Sequence, residues 1–270
     1  QQLSGCWFKA SVNKGFSDGE YAINGVTVFS ASPFKEANCY LKFDCAVPEW
    51  VESKILRTYD TKGSLVKDDK CKKYKDIKYI LEQNIKDVDY NVHVYNVGQG
   101  NCIYIRDTSN DSRIMFDVGM SYWPKSKSKD RKRKEVIKSL YYIAQTRPKV
   151  IVLSHWDLDH IYGVFNLGYI DFTKVWIAPD INELNPNIVS ITAKRLAKYL
   201  NWKRKLYLID RSFNGKLVCK TGKIQIYKGK GNFGSLKSKA NNFGLIISLD
   251  SHEKVIMPGD CEYDEWPNPI

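Results

Sequence analysis

Residues 149–164 read Lys-Val-Ile-Val-Leu-Ser-His-Trp-Asp-Leu-Asp-His-Ile-Tyr-Gly-Val, and this stretch decides the fold. Its apolar β-formers run from position 150 to 153 and stop at Ser154. A run of that kind, bounded by polar residues, predicts a buried strand. His155, Asp157, Asp159 and His160 follow at once, so four potential metal ligands fall on the loop leaving the strand's carboxyl end. Imidazoles and carboxylates gathered at a buried mouth have to be paired or metal-bound, because an isolated charge there is too costly. The chain holds only four histidines, and two of them lie in this stretch.

Working outward, alternating apolar residues predict strands over 92–97 and 101–105, joined by the tight turn Gly98-Gln99-Gly100. A third strand over 113–119 ends in Asp117 and Gly119, and Val136, Leu140 and Ile143 recur at helical spacing. Beyond the ligand loop, strands are expected over 175–177, 206–209, 224–227, 244–249 and 254–257, with a helix near 190–200. Pro258-Gly259-Asp260 follows the last of them. Strands and helices in this order give an α/β layered sandwich.

Residues 1–48 alternate apolar and polar positions between turn signals, with Asn24-Gly25 suited to a two-residue hairpin turn. They read as a small β-rich module. Pro48 opens a short helix to about 56, a lysine-rich loop spans 60–75, and Ile77, Ile80, Leu81 and Ile85 mark an amphipathic connector. The expected organisation is therefore a β-rich module with its connecting helix over 1–88, then the main domain over 89–270.

Hydrophobic residues at 43% and aromatics at 13% exclude a disordered chain of this length. No apolar run approaches the roughly 18 residues of a membrane helix. The seven cysteines are odd in number and form no Cys-x-x-Cys pair, which argues against a disulfide framework or zinc ribbon and for reduced thiols in a cytoplasmic setting. A net charge of +12 favours a polyanionic partner, most simply nucleic acid, either DNA or RNA.

Four motifs now combine: Val97-Gly98-Gln99-Gly100-Asn101, Phe116-Asp117-Val118-Gly119, Ser154 to His160, and Pro258-Gly259-Asp260. In this order they resemble the metallo-β-lactamase fold, and most closely the β-lactamase-like domain of ComEC-type DNA-uptake competence proteins. Asn241-Asn242 fits that subgroup too, and the likeness covers roughly residues 90–264. The resemblance implies a metallo-β-lactamase-like αββα sandwich with two divalent metal ions. His155 and Asp157 would serve one ion, Asp159 and His160 the other, and Asp260 would bridge them. Asp159 and His160 would be the catalytic pair, with Asp159 also open to proton transfer. Asp117 would orient the ligand loop by hydrogen bonding, although a turn-forming Asp before Gly119 fits the position equally well. The general family pattern has a histidine where Asp157 stands. A carboxylate hardens that site and moves preference from zinc towards manganese or magnesium.

The resemblance also calls for ligands the cluster does not supply. No histidine lies between His160 and His252, and Cys219 reads as a core residue. The chain stops ten positions past Asp260, so the last histidine is expected beyond Ile270.

The densest charge run is Lys125, Lys127, Lys129, Arg131, Lys132, Arg133 and Lys134, following Tyr122-Trp123 after the third strand. Its cations suit phosphates and its aromatic suits base stacking. A second lysine cluster, from Lys228 to Lys239, is interleaved with glycines and reads as a flexible loop. Together these features point to a metal-dependent phosphodiesterase, a nuclease using a water activated by two metal ions. Two alternatives stay open: a nucleic-acid or nucleotide-binding module with a degenerate metal site, and a hydrolase of small esters, lactones or cyclic nucleotides.

Overall fold

A computed structural model describes residues 7–13, 21–22, 40–47, 74–109, 113–120, 146–166, 175–232, 240–251, 253–268 and 270, with isolated helical positions between 136 and 143. The hairpin turn at Asn24-Gly25, the helix expected over 48–56, Trp123 with the basic run Lys125 to Lys134, and His252 lie outside the described residues.

The chain forms two compact units, Gln1–Asp60 and Thr61–Ile270. In the first, strands β1 (Trp7–Asn13), β2 (Tyr21–Ala22) and β3 (Tyr40–Val47) make an antiparallel sheet in the order β1-β3-β2. The second begins with helix α1 (Tyr74–Asn84), which buries Ile77, Leu81 and, just past its end, Ile85 in that unit's own core. The connector thus packs with the residues that follow it, where the sequence reading groups it with those before.

Two sheets build the second unit. The first runs β4 (Tyr90–Val94), β5 (Ile103–Asp107), β6 (Arg113–Phe116), β7 (Val150–Val152), β8 (Val175–Pro179) and β9 (Leu206–Ile209) in sequential order. Its early pairs are antiparallel, and the pairs from β6 to β9 are parallel. The second sheet is antiparallel: β10 (Lys216–Thr221), β11 (Ile224–Lys228), β12 (Leu245–Asp250) and β13 (Lys254–Met257).

Between the sheets, Ile114, Phe116, Val150, Val152 and Ile177 share one core with Val218, Ile226, Leu245, Ile247 and Met257. Side chains alternate across a strand, so Met115, Ile151 and Trp176 face the opposite side, and all three are fully buried. Helices cover that side, among them α3 (Ile191–Trp202), which touches β9 and buries Ala193, Leu196 and Leu200. Its N-cap, Ser190, accepts from the Ala193 amide at 3.1 Å. Burial on both faces is why β7 is a continuous apolar run. The architecture is an αββα sandwich with mixed sheets. No described helix is long and apolar enough to cross a membrane.

Strand β10 has no counterpart in the sequence reading. A register shift between Leu217 and Cys219 breaks its alternation, and its buried positions fall among exposed lysines. Lys228 is also placed differently from the flexible loop read there. It ends β11 fully buried, where it donates to Glu183 Oε2 at 3.2 Å and to the Ile209 carbonyl at 2.8 Å. Burial pulls its pKa down, opposed by Glu183.

Candidate metal centre

Three chain segments meet at the carboxyl ends of β6 and β7 and at the turn after β13. The ligand loop leaves β7 as Leu153-Ser154-His155 and enters the short helix α2 (Leu158–Ile161) at Asp157, its N-cap. The motifs around it fix its position through backbone contacts. Val118 N donates to the His160 carbonyl at 3.0 Å, Met120 N to the Asp159 carbonyl at 2.9 Å, and Gly119 N to the Asn101 carbonyl at 2.7 Å. Gly100, at φ +85°, lies so close that a Cβ there would stand 2.0 Å from the Asp159 carbonyl oxygen. Gly259, at φ +61°, would drive a Cβ to 2.5 Å from Cβ of Ser154. The glycine turns are thus the seat on which the ligand loop rests.

Asp117 is fully buried with a left-handed φ of 58°, a conformation that costs most residues about 1 kcal/mol and that Asp tolerates. Its Oδ1 accepts from the Ser154 amide at 2.6 Å. Its Oδ2 accepts from the Ser154 hydroxyl at 2.7 Å and from His160 Nδ1 at 2.8 Å. A hydroxyl has one proton, which Ser154 spends on Asp117. His155 Nδ1, 2.9 Å from the same hydroxyl oxygen, must therefore be the donor in that contact. Both imidazoles are held through Nδ1, which turns both Nε2 atoms to the mouth, as metal-ligating histidines require.

There the two rings stand 4.0 Å apart by centroid. His160 Nε2, buried and outside hydrogen-bond geometry, lies 3.3 Å from Asp260 Oδ1 and 4.0 Å from Asp159 Oδ2. His155 Nε2 is 3.9 Å from Asp260 Oδ2 and 3.9 Å from Asp157 Oδ2. The histidine side chains are at most 2% exposed, whereas those of Asp157, Asp159 and Asp260 are 27%, 24% and 45% exposed. The centre is a buried imidazole floor with an open carboxylate rim. Burial works against charge on His160, but the carboxylates of Asp117 and Asp260 outweigh it and hold the imidazole raised to about 10.

His155, His160 and Asp260 form the one metal-competent cluster among the described residues, with ligand atoms within 4.8 Å of one another. A nitrogen–oxygen set facing an open side fits a divalent cation. Asp157 and Asp159 flank it as described above. Cys219 lies away from it in the inter-sheet core, and burial pushes its thiol up to about 12. Ser154 is the site residue that sequence reading left without a role. Its place one position before His155 was the available signal. The recess beside Asp157, lined by Trp156, Leu184, Ile188, Val189 and Ala240, was likewise not legible. Trp156 is set there by its indole N–H, which donates to the Pro179 carbonyl at 2.8 Å.

Comparison with known proteins places this geometry. Residues 95–219 match the family model of the metallo-β-lactamase superfamily, and the match lies wholly within the second unit. Among solved structures, the chain is similar to CmlA, a diiron β-hydroxylase from Streptomyces venezuelae, at 10% identity and a TM-score of 0.30. That match covers 63% of this chain and 29% of the hydroxylase, so the chain spans under a third of that protein's length. A B3 metallo-β-lactamase with an active-site glutamic acid matches at 10% identity and a TM-score of 0.31, over 73% of this chain and 69% of its own. No curated protein matches.

Proposed function

We propose that the chain is a metal-dependent hydrolase and, within that class, a phosphodiesterase that cleaves nucleic acid. The observation that carries this reading is Asp260, whose carboxylate turns Oδ1 to His160 and Oδ2 to His155. With one carboxylate addressing two buried imidazoles through separate oxygens, Asp260, His155 and His160 would hold a pair of divalent ions, which would supply an acidified water and positive charge against phosphoryl oxygens. The chain's own groups do the rest. Ser154 and Asp117 hold both imidazoles in the ligating orientation. Asp157 and Asp159 would complete one side each from the solvent-facing rim, and Asp159 is accessible enough to pass a proton to a leaving group.

Nucleic acid as the substrate is supported by the charge of +12, by the ComEC-type likeness of the ligand loop, and by the run of cations from Lys125 to Lys134 in the sequence.

Manganese-dependent cleavage of labelled DNA and RNA tests the reading. Asp159→Ala and His160→Ala are each expected to lower the rate by about a hundredfold or more, as loss of a first metal ligand does at minimum. Unchanged cleavage would show that these residues are not the site. Cleavage of a polymer should fall steeply between about 50 and 200 mM salt, while a small diester should be insensitive. Insensitivity with both would move the substrate to a small ester, lactone or cyclic nucleotide. A second reading, a binding module with an incomplete centre, is favoured by the convergence of only His155, His160 and Asp260 among the described residues. Fewer than one bound ion per chain under saturating manganese or zinc would select it.

A further inference from the structure

We propose that Tyr263, backed by Trp266, is a stacking platform for a nucleobase of a single-stranded nucleic acid whose phosphate would be met by a divalent ion held at His155, His160 and Asp260. This rests on the nucleic-acid reading above and adds a contact to bases. Tyr263 is the most exposed large apolar side chain among the described residues, at 78%. It lies three positions past Asp260, hence within about 11 Å of it by chain reach. At about 3.4 Å per stacked nucleotide, that is a few nucleotides from the metal centre.

The phenol is exposed but its turn is fixed. Trp266 stands behind it at 5.0 Å between ring centroids and 54° between planes, a tilted aromatic contact. The Trp266 indole N–H donates to the Cys261 carbonyl at 3.1 Å, and the ring packs on the cluster of Tyr227, Ile246 and Cys261. The 3-10 turn Tyr263–Glu265 is closed by Trp266 N donating to the Tyr263 carbonyl at 3.1 Å. Glu265 is buried, and its Oε2 accepts from the Asn232 amide at 2.9 Å. Lys230 grips the turn twice, its amide donating to the Glu265 carbonyl at 2.9 Å and its Nζ to the Asp264 carbonyl at 3.0 Å. A ring held open to solvent by so many contacts loses little entropy when a flat partner settles on it.

The surroundings select which part of the nucleic acid it meets. Glu262 and Asp264, on either side of Tyr263, are both exposed carboxylates. They repel phosphates, so the sugar-phosphate backbone is kept off this spot and the face of a base is what remains. Stacking tolerates every base, because each has a π face. The platform therefore contributes affinity without sequence choice and without counterion release.

The test is fluorescence anisotropy with the full chain, in metal-free buffer and again with manganese, using a labelled oligothymidylate and an abasic deoxyribose-phosphate oligomer of equal length. Wild type is expected to bind the base-bearing oligomer about tenfold more tightly than the abasic one. Tyr263→Ala should abolish that preference and Tyr263→Phe keep it. The slope of log affinity against log salt should be the same in all three, because no phosphate contact is changed. If Tyr263→Ala keeps the preference, or wild type binds both oligomers equally, the platform is wrong while nucleic-acid binding stands. If wild type binds neither oligomer in either buffer, the nucleic-acid reading falls and the platform with it.

Discussion

His160 is faced by two carboxylates from different parts of the fold, and they are built in opposite ways. Asp117, at the exit of β6, is fully buried and accepts from Ser154 N, Ser154 Oγ and His160 Nδ1. Asp260, in the turn after β13, is 45% exposed and turns its two oxygens to different imidazoles at 3.3 and 3.9 Å. A carboxylate with every close contact satisfied aims its neighbours. One standing half-exposed over two buried nitrogens is disposed to receive a cation. Side-chain identity is the same in both places, so the difference in role comes from burial and partners alone.

Breaking the buried side should have the largest effect on stability. Asp117→Ala strands the Ser154 amide and hydroxyl and the charged His160 in a buried pocket, at a cost of roughly 3–5 kcal/mol. For a unit of this size that lowers the melting temperature of the metal-free protein by about 10 °C, readable by calorimetry or circular dichroism.

A titration sharpens the comparison at an intermediate level. Folding raises the His160 pKa from 6.5 to about 10, so its contribution to stability is fully present below about 6.5 and lost as pH climbs to about 10. Melting of the metal-free protein should fall across that window, and Asp260→Asn, which removes one of the two carboxylates responsible, should flatten the fall. Metal binding should follow the opposite trend, tightening with pH, because the ion must displace the imidazole proton. Calorimetry in buffers of different ionisation enthalpy reads that proton directly.

The smallest change in metal-free stability is expected from Asp260→Ala, within about 1 kcal/mol, since a half-exposed carboxylate is removed from the rim. Its effect should appear in metal content, measured by elemental analysis after equilibration with manganese. Loss of stability without loss of metal in this variant would reverse the roles assigned to the two aspartates.

The sequence made the candidate ligands legible and the contacts that aim them illegible. His155 to His160 stand together in six positions, and Asp260 sits in a recognisable Pro-Gly-Asp turn, so pattern alone reaches them. Which nitrogen of each imidazole faces the mouth depends on the Ser154 hydroxyl beside His155 Nδ1 and the Asp117 carboxylate beside His160 Nδ1, and no spacing encodes that. The parallel strands were readable because burial on both faces leaves continuous apolar runs. Strand β10 was not, because its register shift spoils the alternation that marks a strand. Lys228 shows the same limit: next to glycines and other lysines it reads as a loop cation, and only the fold supplies Glu183 and the Ile209 carbonyl that allow it to be buried. The exposed Tyr263 is invisible for a related reason, since exposure is a property of packing.

Anomalous scattering from a manganese-soaked crystal tests the central claim most directly. Two peaks are predicted, one beside Nε2 of His155 and one beside Nε2 of His160, with the Asp260 carboxylate between them. A single peak, or manganese bound away from Asp260, would contradict the account.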